Sequence, residues 1–473
     1  MIKPFAHQKI SIDHNKTQPL VFDCSDPGTG KTYVRIMGFA ARRAKKGGGC
    51  ALVLAPRSLL RSVWVNDIAK FAPQLTTSVA DAANREKAFA VDADVYITNV
   101  DAAKWLGAQK PAFFKKFSEL IIDESTAFKH HTSLRSKALA KISSYFKNRC
   151  AMTGTPNGNT ITDIWHQIKI LDGGERLGSS FYKFRDATCT PTQIGSQAQM
   201  VKWTDRAGAE EAVFGLLSDI VVRHKFEDCV DIPANHQYTI DYDLTPKQMK
   251  AYLEMENTQM LSFKNKPIAV LAVNAAAVAT KLLQVASGAV YDGQGGHVVV
   301  DTARYELVLD LVEQRQHSLV FFLWKHQRDA LVAEADKRGV SFAVIDGSTS
   351  DRERDEIVKG YQAGVYKVLF AHPKSAAHGL TLTKGTATIW SSPTYDLEIF
   401  KQGSKRQHRI GQTQKTETII VVAKGTIEEK VYDMMLAKDA RMTTLLDLFG
   451  TLTPIAPVKK SGVQRRPAAL SGV

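Results

Sequence analysis

Two parallel-sheet α/β lobes in tandem, joined by helical insertions, are the fold class this sequence predicts. Short, wholly apolar strand-like runs alternate with helical patterns over residues 1–165, the rhythm is lost over 166–300, and it returns over 301–450. A run that is apolar at every position fits a strand covered on both faces, the environment of a parallel sheet. Length agrees, because 473 residues exceed one ordinary core.

In the first lobe, Leu20 to Phe22 end a strand that runs into a glycine-punctuated turn, Ser25-Asp-Pro-Gly-Thr-Gly-Lys-Thr32. A helical pattern follows from Thr32 to Lys46, then strands at Ala51–Ala55, Asp94–Thr98, Glu119–Asp123 and Arg149–Thr153. Helical spacing at Ser58–Phe71 and Leu134–Phe146 falls between them. The middle segment carries helical patterns around Phe181, over Ala209–Leu217, Pro246–Phe263 and Val273–Ala286, and one strand-like piece, His236–Asp243. The second lobe repeats strands at Leu319–Leu323, Phe342–Ile345, Val368–Ala371, Thr388–Ser391 and Thr418–Ala423, with helices from Gln327, Asp351, Leu397 and Ile427. The stretch 451–473, rich in Pro, Gly and Ser and carrying Lys459, Lys460, Arg465 and Arg466, reads as a disordered basic tail.

A net charge of +14 favours a polyanionic partner, nucleic acid above all. No apolar run reaches the length of a membrane span and the N-terminus lacks a signal peptide's apolar core, so a soluble, intracellular protein is expected. Five scattered cysteines, Cys24, Cys50, Cys150, Cys189 and Cys229, form no C-x-x-C pair and argue against both a disulfide framework and a structural metal.

The turn after the first strand has the layout of a phosphate cradle. In the turn Pro27-Gly-Thr-Gly30, Gly28 and Gly30 would let backbone N–H groups point inward beside Pro27 and Thr29, Lys31 would place a cation on the outer phosphates, and Thr32 would ligate Mg²⁺. Ser25 stands where the eight-residue pattern has its first glycine. The alternative is a glycine-rich strand-to-helix turn without a ligand. Asp123 and Glu124, delivered to the C-terminal edge of the sheet by an apolar strand, suit a metal ligand and a water-activating base; alone they would read as an exposed acidic turn. Thr153 and Thr155, in Met152-Thr-Gly-Thr-Pro156, face the same edge, though the pattern also makes an ordinary turn. In the second lobe Arg406 and Arg409 stand three apart on what reads as a continuing helix from Leu397, and so share a face. They suit insertion into a nucleotide held by the other lobe, or equally a basic face on nucleic-acid phosphates.

The order of these motifs resembles that of superfamily-two helicases, and within them the Swi/Snf-like DNA translocases, in the minimal form found in phages and bacteria. The matches are Asp26 through Thr32, Ala55-Pro-Arg-Ser-Leu-Leu60 with Trp64 and Phe71-Ala-Pro73, Ile122-Asp-Glu-Ser125 with Lys129, and Thr153 through Pro156. Further along they are Asp346-Gly-Ser-Thr349, His378-Gly-Leu-Thr-Leu382, Gln402 through Gln412 with its Arg-Ile-Gly-Gln ending, and Gly425-Thr-Ile-Glu-Glu429. The resemblance implies two RecA-like lobes, ATP with Mg²⁺, and DNA, duplex or branched, as the track. It implies that Gln8 reads adenine, that Lys31 and Thr32 hold phosphate and Mg²⁺, that Asp123 holds the metal, and that Glu124 activates water. Arg406 and Arg409 would be arginine fingers with Gln402 beside the nucleotide, Thr153 and Thr155 would couple the two ligands, and Arg57, Thr98, Ser348, Thr349, Ser375 and Thr381 would touch the sugar-phosphate backbone. Ser125 and Thr126 stand where the family often has Ala-His, and Trp390-Ser-Ser-Pro-Thr-Tyr395 replaces its Trp-Asn-Pro phrase. The expectation is an ATP-dependent DNA translocase or helicase, compatible with a monomer, in the cytoplasm of a bacterium or phage-infected host. An RNA-dependent ATPase and a non-catalytic nucleic-acid-binding scaffold are the alternatives.

Overall fold

A computed structural model describes residues 3–450 except 47, 195–199, 230, 264–267, 293–295 and 377–379. The tail expected over 451–473, and His378 and Gly379 of one matched motif, lie outside the described residues.

The strands in chain order are β1 (Leu20–Asp23), β2 (Cys50–Ala55), β3 (Thr77–Ala80), β4 (Val95–Asn99), β5 (Phe117–Asp123) and β6 (Asn148–Met152). The hairpin β7 (Cys189–Gln193) and β8 (Val201–Asp205) follows, then β9 (Val221–Val222), β10 (Asn235–Tyr242), and a second hairpin, β11 (Ala289–Tyr291) and β12 (His297–Val299). The last five are β13 (Ser318–Phe321), β14 (Phe342–Ile345), β15 (Val368–Ala371), β16 (Ala387–Trp390) and β17 (Thr416–Ala423). Among the described residues they form two large parallel sheets, ordered β3-β4-β2-β5-β6-β1-β9 and β10-β17-β16-β13-β15-β14. The expected fold class of two parallel-sheet lobes is therefore what the chain adopts.

Central strands are buried along their whole length: Leu52, Val53 and Leu54 of β2 and Val320 and Phe321 of β13 are fully enclosed, as strands with helices on both faces must be. The middle segment supplies one strand to each sheet. Phe22 of β1 pairs with Val221, and all eight residues of β10 pair with β17. The crossing from one lobe to the other thus falls between β9 and β10.

Two local differences from the sequence pattern bear on the site. The helix expected over Ser58–Phe71 is a 3₁₀ turn, Arg57–Leu59, a π turn, Leu60–Val65, and only then an α-helix, Asn66–Phe71. A π turn accommodates an extra residue per turn, and here Trp64 is directed inward, where its Nε1 donates to Asp123 Oδ2 at 2.9 Å. The helix from Leu397 stops at Ser404. Arg406 N donates to Gly403 O at 3.1 Å in a tighter turn, and Gln412 Nε2 donates to the carbonyls of Thr383 and Gly385 at 3.1 and 2.9 Å, folding the segment back on itself. Arg406 and Arg409 therefore do not share a helix face as expected.

Lobe two is tied by one enclosed ion pair. Arg304 donates to Glu428 at 2.9 and 3.0 Å and to Ser391 O at 2.9 Å, and Glu428 Oε2 also accepts from Ala423 N at 2.7 Å. Both side chains are excluded from solvent. Removing one partner leaves a buried charge without its counter-charge, so Glu428→Ala is expected to cost lobe two about 3–5 kcal/mol. Urea unfolding of lobe two against the parent chain measures it.

Candidate functional site

β1 ends inside the sheet edge and the chain turns at once into the helix Lys31–Lys46. Gly28 and Gly30 adopt φ of +91° and +86°, conformations that side chains oppose. Space is tight as well: a Cβ on Gly30 would displace the Gln8 amide, and one on Gly28 would press on the Phe226 ring at 3.0 Å while touching Arg409 Cβ at an ordinary 3.8 Å. The loop is thus closed in by the N-terminal helix, by the segment that crosses between lobes, and by lobe two.

Ser25, the residue that departs from the glycine pattern, has a structural occupation. Its buried Oγ accepts from His224 N at 3.1 Å, and His224 Nε2 meets Ser11 Oγ at 2.6 Å. Asp26 continues the attachment. Its Oδ1 accepts from Arg223 Nη1 at 2.6 Å and its Oδ2 from Phe226 N at 3.0 Å. Burial opposes its ionisation, but Arg223 and the Phe226 amide hold its carboxyl below the ordinary value.

Gln8 Nε2 donates to Thr29 O at 3.1 Å, and Gln8 Oε1 accepts from Phe5 N at 3.1 Å. Lys31 Nζ donates to the carbonyls of Ser25 at 2.6 Å and Asp26 at 3.2 Å, which fixes the amine at the mouth of the loop. A cleft of about 470 Å³ opens there. Lobe one lines it with Gln8, Pro27, Gly28, Gly30, Lys31, Thr32, Asp123 and Glu124, and lobe two with Thr381, Gln402, Arg406 and Arg409. The sequence expectations for the nucleotide side thus converge in one place, apart from Thr29, whose side chain is buried and donates to Asp26 O at 2.9 Å. Thr381, expected on the nucleic-acid side, sits in this cleft instead.

The cleft gathers charge at low solvent exposure. Burial first, then Glu398 of lobe two and the adjoining Asp123, pushes the Glu124 carboxyl up to about 8. Burial also raises Asp123, opposed by the Trp64 hydrogen bond and Lys31. Burial and the neighbouring Arg409 bring Arg406 down to about 9. Arg406 donates through Nε to Gln402 O at 2.7 Å, and both arginines donate to Leu380 O, Arg406 at 3.3 Å and Arg409 at 2.7 Å. Glu124 is the one described non-glycine residue with positive φ, at 56°. Such a conformation costs on the order of 1–3 kcal/mol and persists only where surrounding structure enforces it. Its Oε2 is buried with no hydrogen-bond partner among the described residues.

A triphosphate would answer this arrangement. Its charge complements Lys31 and the two guanidinium groups, and the left-handed glycines leave the loop's backbone amides uncovered. Thr32 and Asp123 offer a hydroxyl and a carboxylate, and no thiol or imidazole lines the cleft. That donor set fits Mg²⁺.

The other expected residues lie apart. Thr153 is fully buried, its Oγ1 accepting from Thr155 N at 3.1 Å, and a Cβ on Gly154 would stand 3.0 Å from Pro27 Cδ, so this loop packs on the phosphate turn. Thr155 faces a second interlobe cleft with Lys129 and Glu398. Arg57 lines a third cleft, of about 500 Å³, between lobe one and the helix Asp351–Gln362. Ser348 is exposed beside it in chain order, its Oγ donating to Asp346 at 2.6 Å, while Thr349 Oγ1 accepts from Asp346 N at 3.0 Å. Ser375 is half-buried in the short helix Pro373–Ala376 that follows β15. Thr98 is fully buried, its hydroxyl donating to Ala80 O at 2.7 Å, and presents no polar atom to a partner. Sequence reading passed over Arg223, His224, Phe226 and Glu398, whose partners lie far away in the chain, and named Trp64 as a matched residue without its bond to Asp123.

A match to the SNF2-related domain spans residues 13–286, and one to the helicase conserved C-terminal domain spans residues 303–411. The first alone covers more than half of the chain, which therefore belongs to the SNF2-related family. Protein p41 of Acyrthosiphon pisum secondary endosymbiont phage 1 is 29% identical over 84% of this chain and 87% of its own length. An ATP-dependent helicase of Mycoplasma pneumoniae is 22% identical over 92% of this chain but 41% of its own, so the chain spans about two-fifths of that relative. A solved Sulfolobus solfataricus SWI2/SNF2 ATPase core in complex with dsDNA is 21% identical over 95% of each chain, with a TM-score of 0.43.

A Glu124 carboxyl held near 8 is largely protonated at neutral pH, and the fraction able to accept a proton grows as pH rises through 8. The kcat/KM for ATP is expected to climb over that window. Glu398→Gln removes a like charge, lowers the Glu124 value and moves the climb to lower pH, which a pH–rate profile of the two proteins reads directly.

Proposed function

We propose that this SNF2-related chain is an ATP-driven motor on DNA, a translocase or helicase that hydrolyses ATP between its two lobes. One observation carries the reading: Lys31, Thr32, Asp123 and Glu124 of lobe one and Arg406 and Arg409 of lobe two line the same cleft.

In this reading Gln8, already bonded to the phosphate loop, receives the adenine edge, and Lys31 exchanges a loop carbonyl for a phosphate oxygen. Thr32 and Asp123 hold Mg²⁺, which when bound offsets the charge of the phosphates. Glu124 orients water against the γ-phosphate and accepts its proton, which requires the ionised carboxylate. A bound triphosphate also draws Arg406 and Arg409 from Leu380 O toward the nucleotide. Lobe approach and hydrolysis are then one event, because lobe one alone lacks the fingers. If each lobe grips backbone phosphates through groups such as Arg57 and Ser348, a cycle of approach and release advances the track. Contacts of that kind carry little base preference and weaken with salt. The net charge of +14 supports a polyanionic track, and DNA is the first one to test.

Lys31→Ala is expected to abolish hydrolysis. Arg409→Ala is expected to lower kcat by roughly 10³-fold, within the range for an arginine finger, while DNA affinity stays within about twofold. The measurement is phosphate release against single-stranded, double-stranded, forked and four-way DNA and against RNA. Stimulation by DNA above RNA upholds the proposal; equal stimulation by RNA would move it to an RNA-dependent ATPase, and no hydrolysis at all to a binding scaffold.

A further inference from the structure

We propose that Gln167 is a positioning residue that carries the coupling between the turn bearing Glu124 and the loop bearing Thr153 and Thr155. The inference rests on the proposed function and names how its two halves communicate.

The turn after β5 is in an unfavourable conformation, since Glu124 is left-handed without being glycine. It is held from both sides. Ahead of it, Trp64 Nε1 fixes Asp123. Behind it, Ser125 Oγ donates to Gln167 Oε1 at 2.6 Å. The same Gln167 side chain donates through Nε2 to Pro156 O at 2.9 Å and to Asp163 O at 2.9 Å. Ser125 and Gln167 are both nearly without solvent exposure, so water cannot replace a lost bond.

One amide therefore joins the Glu124 turn to Pro156, at the end of the Thr153–Pro156 loop. Gln167 sits on the helix Asp163–Asp172 alongside Ile164, Ile168 and Leu171, which are buried in the hydrophobic core, so the amide has a fixed base. The neighbouring Thr126 donates to Glu398 Oε1 of lobe two at 3.0 Å. Thr155 opens on the cleft that Glu398 also lines, with its hydroxyl buried and without a partner among the described residues. The turn is thus bonded to lobe two through Thr126 and to the threonine loop through Gln167. A shift of Glu398 on lobe movement reaches Glu124 through the first contact and Pro156 through the second. Ser125 and Thr126, which depart from the family's usual pair, are the residues that make both contacts.

The test compares Ser125→Ala, Gln167→Met and the double variant in the full chain, measuring phosphate release with and without double-stranded DNA and the affinity for a fluorescent ATP analogue. Each single variant is expected to lower the DNA-stimulated kcat about tenfold with KM for ATP moving less than about twofold, and the double variant to be no worse than Gln167→Met, because all three remove one connection. DNA stimulation within about twofold of the parent in Ser125→Ala, which removes only a hydroxyl, would overturn the inference, as would losses that multiply in the double variant. A parent chain that hydrolyses ATP without responding to any nucleic acid would fail the proposed function and this inference together; a responsive parent with unaffected variants fails the inference alone.

Discussion

The close approach of the two lobes at Gly28 is the constraint on which the rest of the site depends. The loop passes between the Phe226 ring and Arg409: a Cβ on Gly28, already in a left-handed backbone, would press on the ring at 3.0 Å and reach contact with Arg409 Cβ at 3.8 Å. Glycine there keeps the turn compact where Arg409 of lobe two shares a cleft with Lys31. The attachment is reinforced from the crossing segment, where Arg223, His224 and Phe226 bond to Ser25 and Asp26. The phosphate turn is therefore fixed to the polypeptide that leads into lobe two as well as to its own sheet.

Electrostatics follow from the same geometry. Bringing the lobes together places Glu398 near Glu124, and lobe two itself sets Arg406 beside Arg409, so like charges crowd in a region of low exposure. Carboxyl groups are pushed up and guanidinium groups down, each toward its neutral form. A polyanion entering between them would restore the charged arginines, and a divalent cation would restore the carboxylates. The strained backbone of Glu124 belongs to this arrangement, since the turn is tied on three sides by Trp64, Gln167 and Glu398.

Much of the fold was legible because buried parallel strands are apolar along their whole length. β2 and β15 announce themselves in that way. β3 did not, because Thr77-Ser-Val-Ala80 is too mixed to stand out, whereas β14, Phe342-Ala-Val-Ile345, alternates in burial in the same way but is wholly apolar. β9 is two residues long and exists through its pairing with β1. The phosphate turn was legible from glycine spacing, whereas the reason for Ser25 was not, since its partner His224 is 199 positions away. Arg406 and Arg409 were found by type and mis-set by geometry. Their approach to the cleft comes from tight turns after Ser404, which Gln412 enforces across the chain through Thr383 and Gly385. Residues acting through distant partners, His224 and Glu398 among them, have no local signature.

That hydrolysis needs a site completed by both lobes is tested most directly by trapping ADP with fluoroaluminate, which imitates the phosphoryl group in transit. The parent chain should form the trapped complex, and Arg409→Ala should bind ADP within about twofold of the parent yet fail to trap fluoroaluminate, because a finger acts on the transition state and not on the bound nucleotide. Equal trapping by the two proteins would contradict the two-lobe site.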